Sequence, residues 1–70
     1  MTNDINISVN GEDRDIPAGL TVEALLKHLD LQPGMIVVER NGEILRREGY
    51  AGARLGPGDR LELVHFVGGG

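Results

Sequence analysis

Ile5, Ile7 and Val9 alternate with Asn6 and Ser8. A period of two predicts a strand with one buried face. Asn10-Gly11 follows, a pair that tolerates positive φ at both positions and so marks a tight hairpin. The return segment, Glu12 to Ile16, is highly charged. A charged partner strand reads as a sheet edge, where charge discourages pairing with other chains. Pro17-Ala18-Gly19 ends it.

The period then changes. Val22, Leu25, Leu26 and Leu29 fall at i, i+3, i+4 and i+7, one apolar stripe of a helix. Thr21 is the expected N-cap, with Leu20 and Leu25 at the two positions of a hydrophobic staple. Glu23 lies in the first turn and Lys27 and His28 in the last, as the helix dipole favours. Pro33-Gly34 is the expected stop. A single narrow stripe predicts packing on one side of a sheet.

Met35 to Val38 is short and continuously apolar, which suits an interior strand. Glu39-Arg40-Asn41-Gly42 turns it and Glu43-Ile44-Leu45 returns. Arg46 to Gly56 is irregular and polar apart from Tyr50 and Leu55. Pro57-Gly58-Asp59 is a turn signal. Arg60 to Phe66 is the last strand, with Leu61 and Leu63 toward the helix and Glu62, Val64 and Phe66 on the other face. Hairpin, helix, strand pair and strand make an α+β domain: a mixed sheet of four to five strands, one helix across one face, the other face open. The body spans residues 1–66, and a glycine tail 67–70 is expected to be flexible.

Seventy residues make one domain, too small to enclose a deep catalytic cleft. With Tyr50 and Phe66 the only aromatics, Leu, Ile and Val must fill the interior. No cysteine is present, so disulfides, zinc-thiolate sites and thiol nucleophiles are excluded. The formal charge of −4 argues against nucleic acid and toward basic protein surfaces. No apolar stretch approaches the roughly 20 residues of a membrane span, and Met1-Thr2-Asn3-Asp4 does not begin a signal peptide. The cytoplasm is the expected location.

The chain ends Val67-Gly68-Gly69-Gly70. Taken alone, such an end is ordinarily a frayed terminus or a cloning remnant. Three segments change that reading. Ile36-Val37-Val38-Glu39-Arg40-Asn41-Gly42-Glu43-Ile44, Pro57-Gly58-Asp59 and Val64-His65-Phe66-Val67-Gly68-Gly69-Gly70 resemble those of the ThiS-type sulfur carriers of thiamine biosynthesis, ubiquitin-like β-grasp proteins. The last segment is the most specific. The resemblance implies that Gly70 is adenylated by a ThiF-type partner enzyme using ATP. It implies next a terminal thiocarboxylate (1-thioglycine) made with sulfur that a cysteine desulfurase takes from cysteine, and delivery of that sulfur to thiazole synthase. It also implies a carrier and not an enzyme, with no bound cofactor or metal and a monomeric free state.

The residues agree with this chemistry. An α-carboxyl group has a pKa of about 3.3–3.7 and is ionised at neutral pH, ready to attack phosphorus. No GxxxxGK[ST] loop is present to cradle phosphate. Four extended residues reach about 13–14 Å. Ordering them costs roughly 4–8 kcal/mol, which glycines have no side chains to recover. The body must therefore supply most of the recognition. Val64, Phe66 and Val67 are the candidate docking residues, with Gly68 and Gly69 the arm. Phe66 has an equal alternative role, closing the bottom of the core.

The remaining polar residues read as structural. His65 is a strand residue near the tail, and His28 suits a helix end. Arg46 and Arg47 break the acidic pattern and favour a solvated pair over a partner contact. Glu39, Glu43, Glu48 and Glu62 alternate with apolar positions, which favours a solvated sheet face over a metal or acid-base site. Lys27 is the only lysine. Two competing readings stay open. One is a carrier of another pathway, such as the small subunit of molybdopterin synthase, whose tail typically carries prolines, or a carrier for cysteine or tRNA thiolation. The other is a β-grasp interaction module without covalent chemistry.

Overall fold

The computed structural model describes residues 3–66. Five strands and one helix follow in the order β1 (Asp4–Val9), β2 (Glu12–Pro17), α1 (Val22–His28), β3 (Ile36–Arg40), β4 (Glu43–Leu45) and β5 (Arg60–His65), with short 3-10 turns at Pro33–Met35 and Arg47–Gly49. The strands form one sheet in the order β2-β1-β5-β3-β4. β5 runs parallel to β1 and antiparallel to β3. This is a β-grasp sheet, and its last strand lies at the centre.

Both hairpins turn on the same chemistry. Asn10 and Gly11 have φ of 51° and 83°, and Asn41 and Gly42 have 51° and 87°. Positive φ at both central residues gives the turn whose twist matches that of the flanking strands. The charged β2 is an edge, paired only with β1. β3 is interior, between β5 and β4. Its apolar run is not buried throughout, however. Ile36 and Val38 are in the core, Val37 faces out, and Met35 belongs to the preceding 3-10 turn.

The helix starts as its sequence predicts and ends earlier. Thr21 Oγ1 accepts from Ala24 N at 3.1 Å. The loop before β5 satisfies the two N–H groups ahead of it: Val22 N donates to Ala53 O and Glu23 N to Tyr50 O. The stop is not Pro33-Gly34. Leu29 is the C-cap and Asp30 turns left-handed at φ 60°. Asp30 N donates to Lys27 O and Leu31 N to Leu26 O, which closes a Schellman motif with aspartate at the position glycine usually holds. Leu31 then folds back against the core.

One core joins the helix to the inner face of the sheet. Val22, Leu25 and Leu26 of α1 meet Ile7, Ile16, Ile36, Val38 and Leu61. Leu63 is half-buried against them. The irregular segment contributes Tyr50 and Leu55, both buried. Tyr50 spends no polar group without a partner, since its hydroxyl donates to Ile36 O at 2.8 Å.

Asp59 ties the sheet's end together. Its Oδ2 accepts from Arg40 Nη2 at 2.7 Å, Arg40 Nε at 3.2 Å and Gly56 N at 2.8 Å, and its Oδ1 from Asn41 Nδ2 at 3.2 Å. Its carbonyl accepts from Ser8 N. Asn41 in turn accepts from Arg60 N through its side chain, and its own N–H donates to Arg60 O. Burial alone would push the Asp59 carboxyl up. The hydrogen bonds from Gly56, Asn41 and Arg40, with the Arg40 charge, outweigh it and hold the carboxyl below its ordinary value. A pKa depressed in the folded state gives stability that is present above the unfolded value of about 3.9 and lost as pH falls through the folded value. Asp59→Asn should therefore lower unfolding stability by about 1.5–3 kcal/mol at neutral pH. In denaturant titrations that difference from the parent protein should shrink as pH falls below about 4.

Candidate functional site

The sheet face away from the helix is uncovered among the described residues. Strand alternation sets its composition. With Ile36, Val38 and Leu61 turned inward, Val37, Glu39, Glu62 and Val64 turn outward. Val37 lies directly opposite Val64, and Glu39 lies directly opposite both Glu62 and Ile44. Among the described residues Val37, Ile44 and Val64 are the exposed large apolar side chains, at 36%, 66% and 57%. Val37 and Val64 form a row near the end of β5, and Ile44 lies one row back, beside Glu39. Scattered exposed apolar residues are ordinary, but a contiguous set on one open face marks an interaction surface.

Phe66 stands just past β5. Its N–H donates to Met35 O at 3.1 Å, so the β3–β5 pairing direction continues to it. It is half-buried and is not among the residues packed against the core. Alternation places it on the same side as Val64. Val67, Gly68, Gly69 and Gly70 lie outside the described residues.

The other candidates separate. His65 is exposed, falls on the helix side with Leu63, and has no hydrogen bond among the described residues. It rims a cavity of about 340 Å³ whose lining includes Leu29, Leu31 and Arg14. Arg46 is solvated, 3.9 Å from Glu48. Arg47 is not its twin, because it donates to Gly34 O at 3.0 Å and braces the segment leading into β3. Glu43 and Glu48 are exposed and apart from the Glu39–Glu62 pair. Glu23 and Lys27 are 3.9 Å apart on the helix surface. Among the described residues no helix is long and apolar enough to cross a membrane.

The two internal segments that carry the resemblance meet in space. Arg40-Asn41 from the first and Asp59 from the second form the junction described above. The third segment leaves from the strand beside it. A family model described as "ThiS family" matches residues 7–70. The chain belongs to the ThiS family. The sulfur carrier protein ThiS of Bacillus subtilis is 44% identical over 50 residues, covering 71% of this chain and 76% of that protein. The crystal structure of the thiamine biosynthesis protein ThiS from Geobacter metallireducens matches with a TM-score of 0.81 and 36% identity, over 94% of this chain and all of that one. A thiazole synthase of Paramagnetospirillum magneticum is 44% identical over 66 residues, which covers 94% of this chain but only 20% of that protein. The chain thus spans about a fifth of the length of the thiazole synthases it matches.

Val37 and Ile44 were not picked out from the ThiS-like sequence as surface residues. The signal was present in the alternation. Once Ile36 and Val38 are assigned inward, Val37 must face out, and the Asn41-Gly42 turn then brings Ile44 beside Glu39. If the exposed face and not the core uses these side chains, Phe66→Ala and Val64→Ala should each leave the unfolding midpoint nearly unchanged. Both should weaken association with a partner enzyme in titration calorimetry. A cooperative loss of structure in Phe66→Ala would return that residue to the core.

Proposed function

We propose that this chain is a sulfur carrier for building the thiazole of thiamine, with Gly70 as the group that carries the sulfur. The observation that carries the reading is the family match, which runs through the core motifs to the last glycine. The Gly70 carboxylate attacks the α-phosphorus of ATP within a ThiF-type activating enzyme, and pyrophosphate leaves. The resulting acyl-adenylate is open to a partner's persulfide, whose outer sulfur displaces AMP to give an acyl disulfide. A second thiol of a partner then attacks the inner sulfur, forming a new disulfide and releasing the thiocarboxylate. A cysteine desulfurase is the source of that sulfur. Thiazole synthase receives it, and a segment like this chain within proteins named thiazole synthase supports that pairing.

In this scheme catalysis belongs to the partners. The chain has no cysteine to hold sulfur and no phosphate-binding loop. Its contribution is recognition and delivery. The open face carrying Val37, Ile44, Val64 and Phe66 docks, and the glycines, narrow because they lack side chains, enter the active site. The arm costs on the order of 1–2 kcal/mol per residue to order, so docking of the body must precede or accompany its entry.

Intact-mass measurement after incubation with ATP, the cognate activating enzyme and a sulfur source tests the reading. A gain equal to replacement of one oxygen by sulfur is expected, and deletion of Gly70 should abolish it. No gain with an enzyme shown to be active would overturn the proposal.

A further inference from the structure

Glu39 and Glu62 are cross-strand partners, one on β3 and one on β5, at the same level of the open face. Glu39 is half-buried and Glu62 exposed. Like charges directly opposite each other on a sheet are unfavourable. Among the described residues neither takes part in an ion pair; those present are Glu23–Lys27, Arg40–Asp59 and Arg46–Glu48. Arg60, two residues before Glu62 on the same face, also stands outside these pairs. Among the described residues the two carboxylates thus face each other across the strands with no compensating ion pair.

Their surroundings give that arrangement a use. Ile44 flanks Glu39 on β4, and Val37 and Val64 form the next row. A partner covering these side chains would exclude water from the carboxylates, and a charge contact there gains strength as water leaves. We propose that Glu39 and Glu62 together accept one cationic side chain, arginine or lysine, from the activating enzyme, framed by Val37, Ile44 and Val64. A guanidinium has donors enough to serve both carboxylates at once.

The choice of partner follows from charge. This inference rests on the carrier reading above: an enzyme that holds ATP beside the Gly70 carboxylate must surround both with positive charge. A carrier of net charge −4 is drawn to such an entrance. The carboxylate pair is the part of the open face nearest the apolar patch that can convert this attraction into a register. The apolar side chains alone would allow the body to slide. A fixed charge contact sets where β5 ends relative to the active site.

The test uses the full chain and its activating enzyme, with Glu39→Gln, Glu62→Gln and the double variant, and Val64→Ala as the apolar comparison. Thermal unfolding of the free proteins comes first, and the Gln variants should be as stable as the parent or more so. Binding measured between roughly 50 and 500 mM salt should then weaken about 5- to 50-fold for each Gln variant at low salt, with a flatter salt dependence. Val64→Ala should weaken binding without changing the salt slope. Gln variants that bind with the parent's affinity and slope would overturn the inference. Thiocarboxylate formation by the parent separates the two failures: if it forms while the Gln variants behave as the parent, only the cation acceptor is wrong. If it does not form with an active enzyme, both readings fall.

Discussion

The carboxylate of Asp59 joins parts of the chain that are far apart in sequence. It receives Arg40 and Asn41 from the β3–β4 hairpin and Gly56 from its own turn, while its carbonyl holds β1 through Ser8. Arg40 also reaches Arg54 O, and Arg54 pairs with Thr21 at the helix cap. One partly buried charge thus aligns the central strand, the second hairpin, the loop and the helix start. A single anionic group with this many donors is well satisfied, which is what makes its burial favourable. With it in place, β5 enters the sheet in one register, and that register decides which of its side chains face the helix.

The consequence for function is a division between the two sheet faces. Leu61 and Leu63 turn to the core while Glu62 and Val64 turn to solvent. The helix covers the first set, and among the described residues nothing covers the second. The exposed apolar side chains of this small domain therefore gather on the face that the helix leaves free.

Much of this was legible in the residues. Asn-Gly pairs mark their turns because few other pairs accept two positive φ values, and Thr21 followed by a helical stripe marks a helix start. The helix end was misread because Asp30 in a left-handed conformation is a less common terminator than Pro33-Gly34, and its motif is visible only through backbone bonds. The run Met35 to Val38 marks an interior strand, as β3 is, but its neighbouring apolar residues hide the period of two that turns Val37 outward. Phe66 could not be placed from pattern alone, since a half-buried aromatic at a strand end fits a core or a surface equally. The Asp59 junction left a trace in the separate segments Glu39-Arg40-Asn41-Gly42 and Pro57-Gly58-Asp59, but their contact depends on long-range pairing that no local signal reports. Those same segments carried the family resemblance, so the sequence pointed to the right residues before it could say why they belong together.

The central position of β5 has a mechanical side. A pull on the chain beyond Phe66 would act along the axis of a strand flanked on both sides. Asp59 O holds Ser8 N on β1 and Leu61 O holds Asn10 N just past it, the Asn10 side chain takes Leu63 N, and β3 pairs with five residues on the opposite side. Tension along such a strand loads these bonds in shear, all together and not one at a time as at a peeled edge. A tug on its end would therefore be shared between both neighbouring strands.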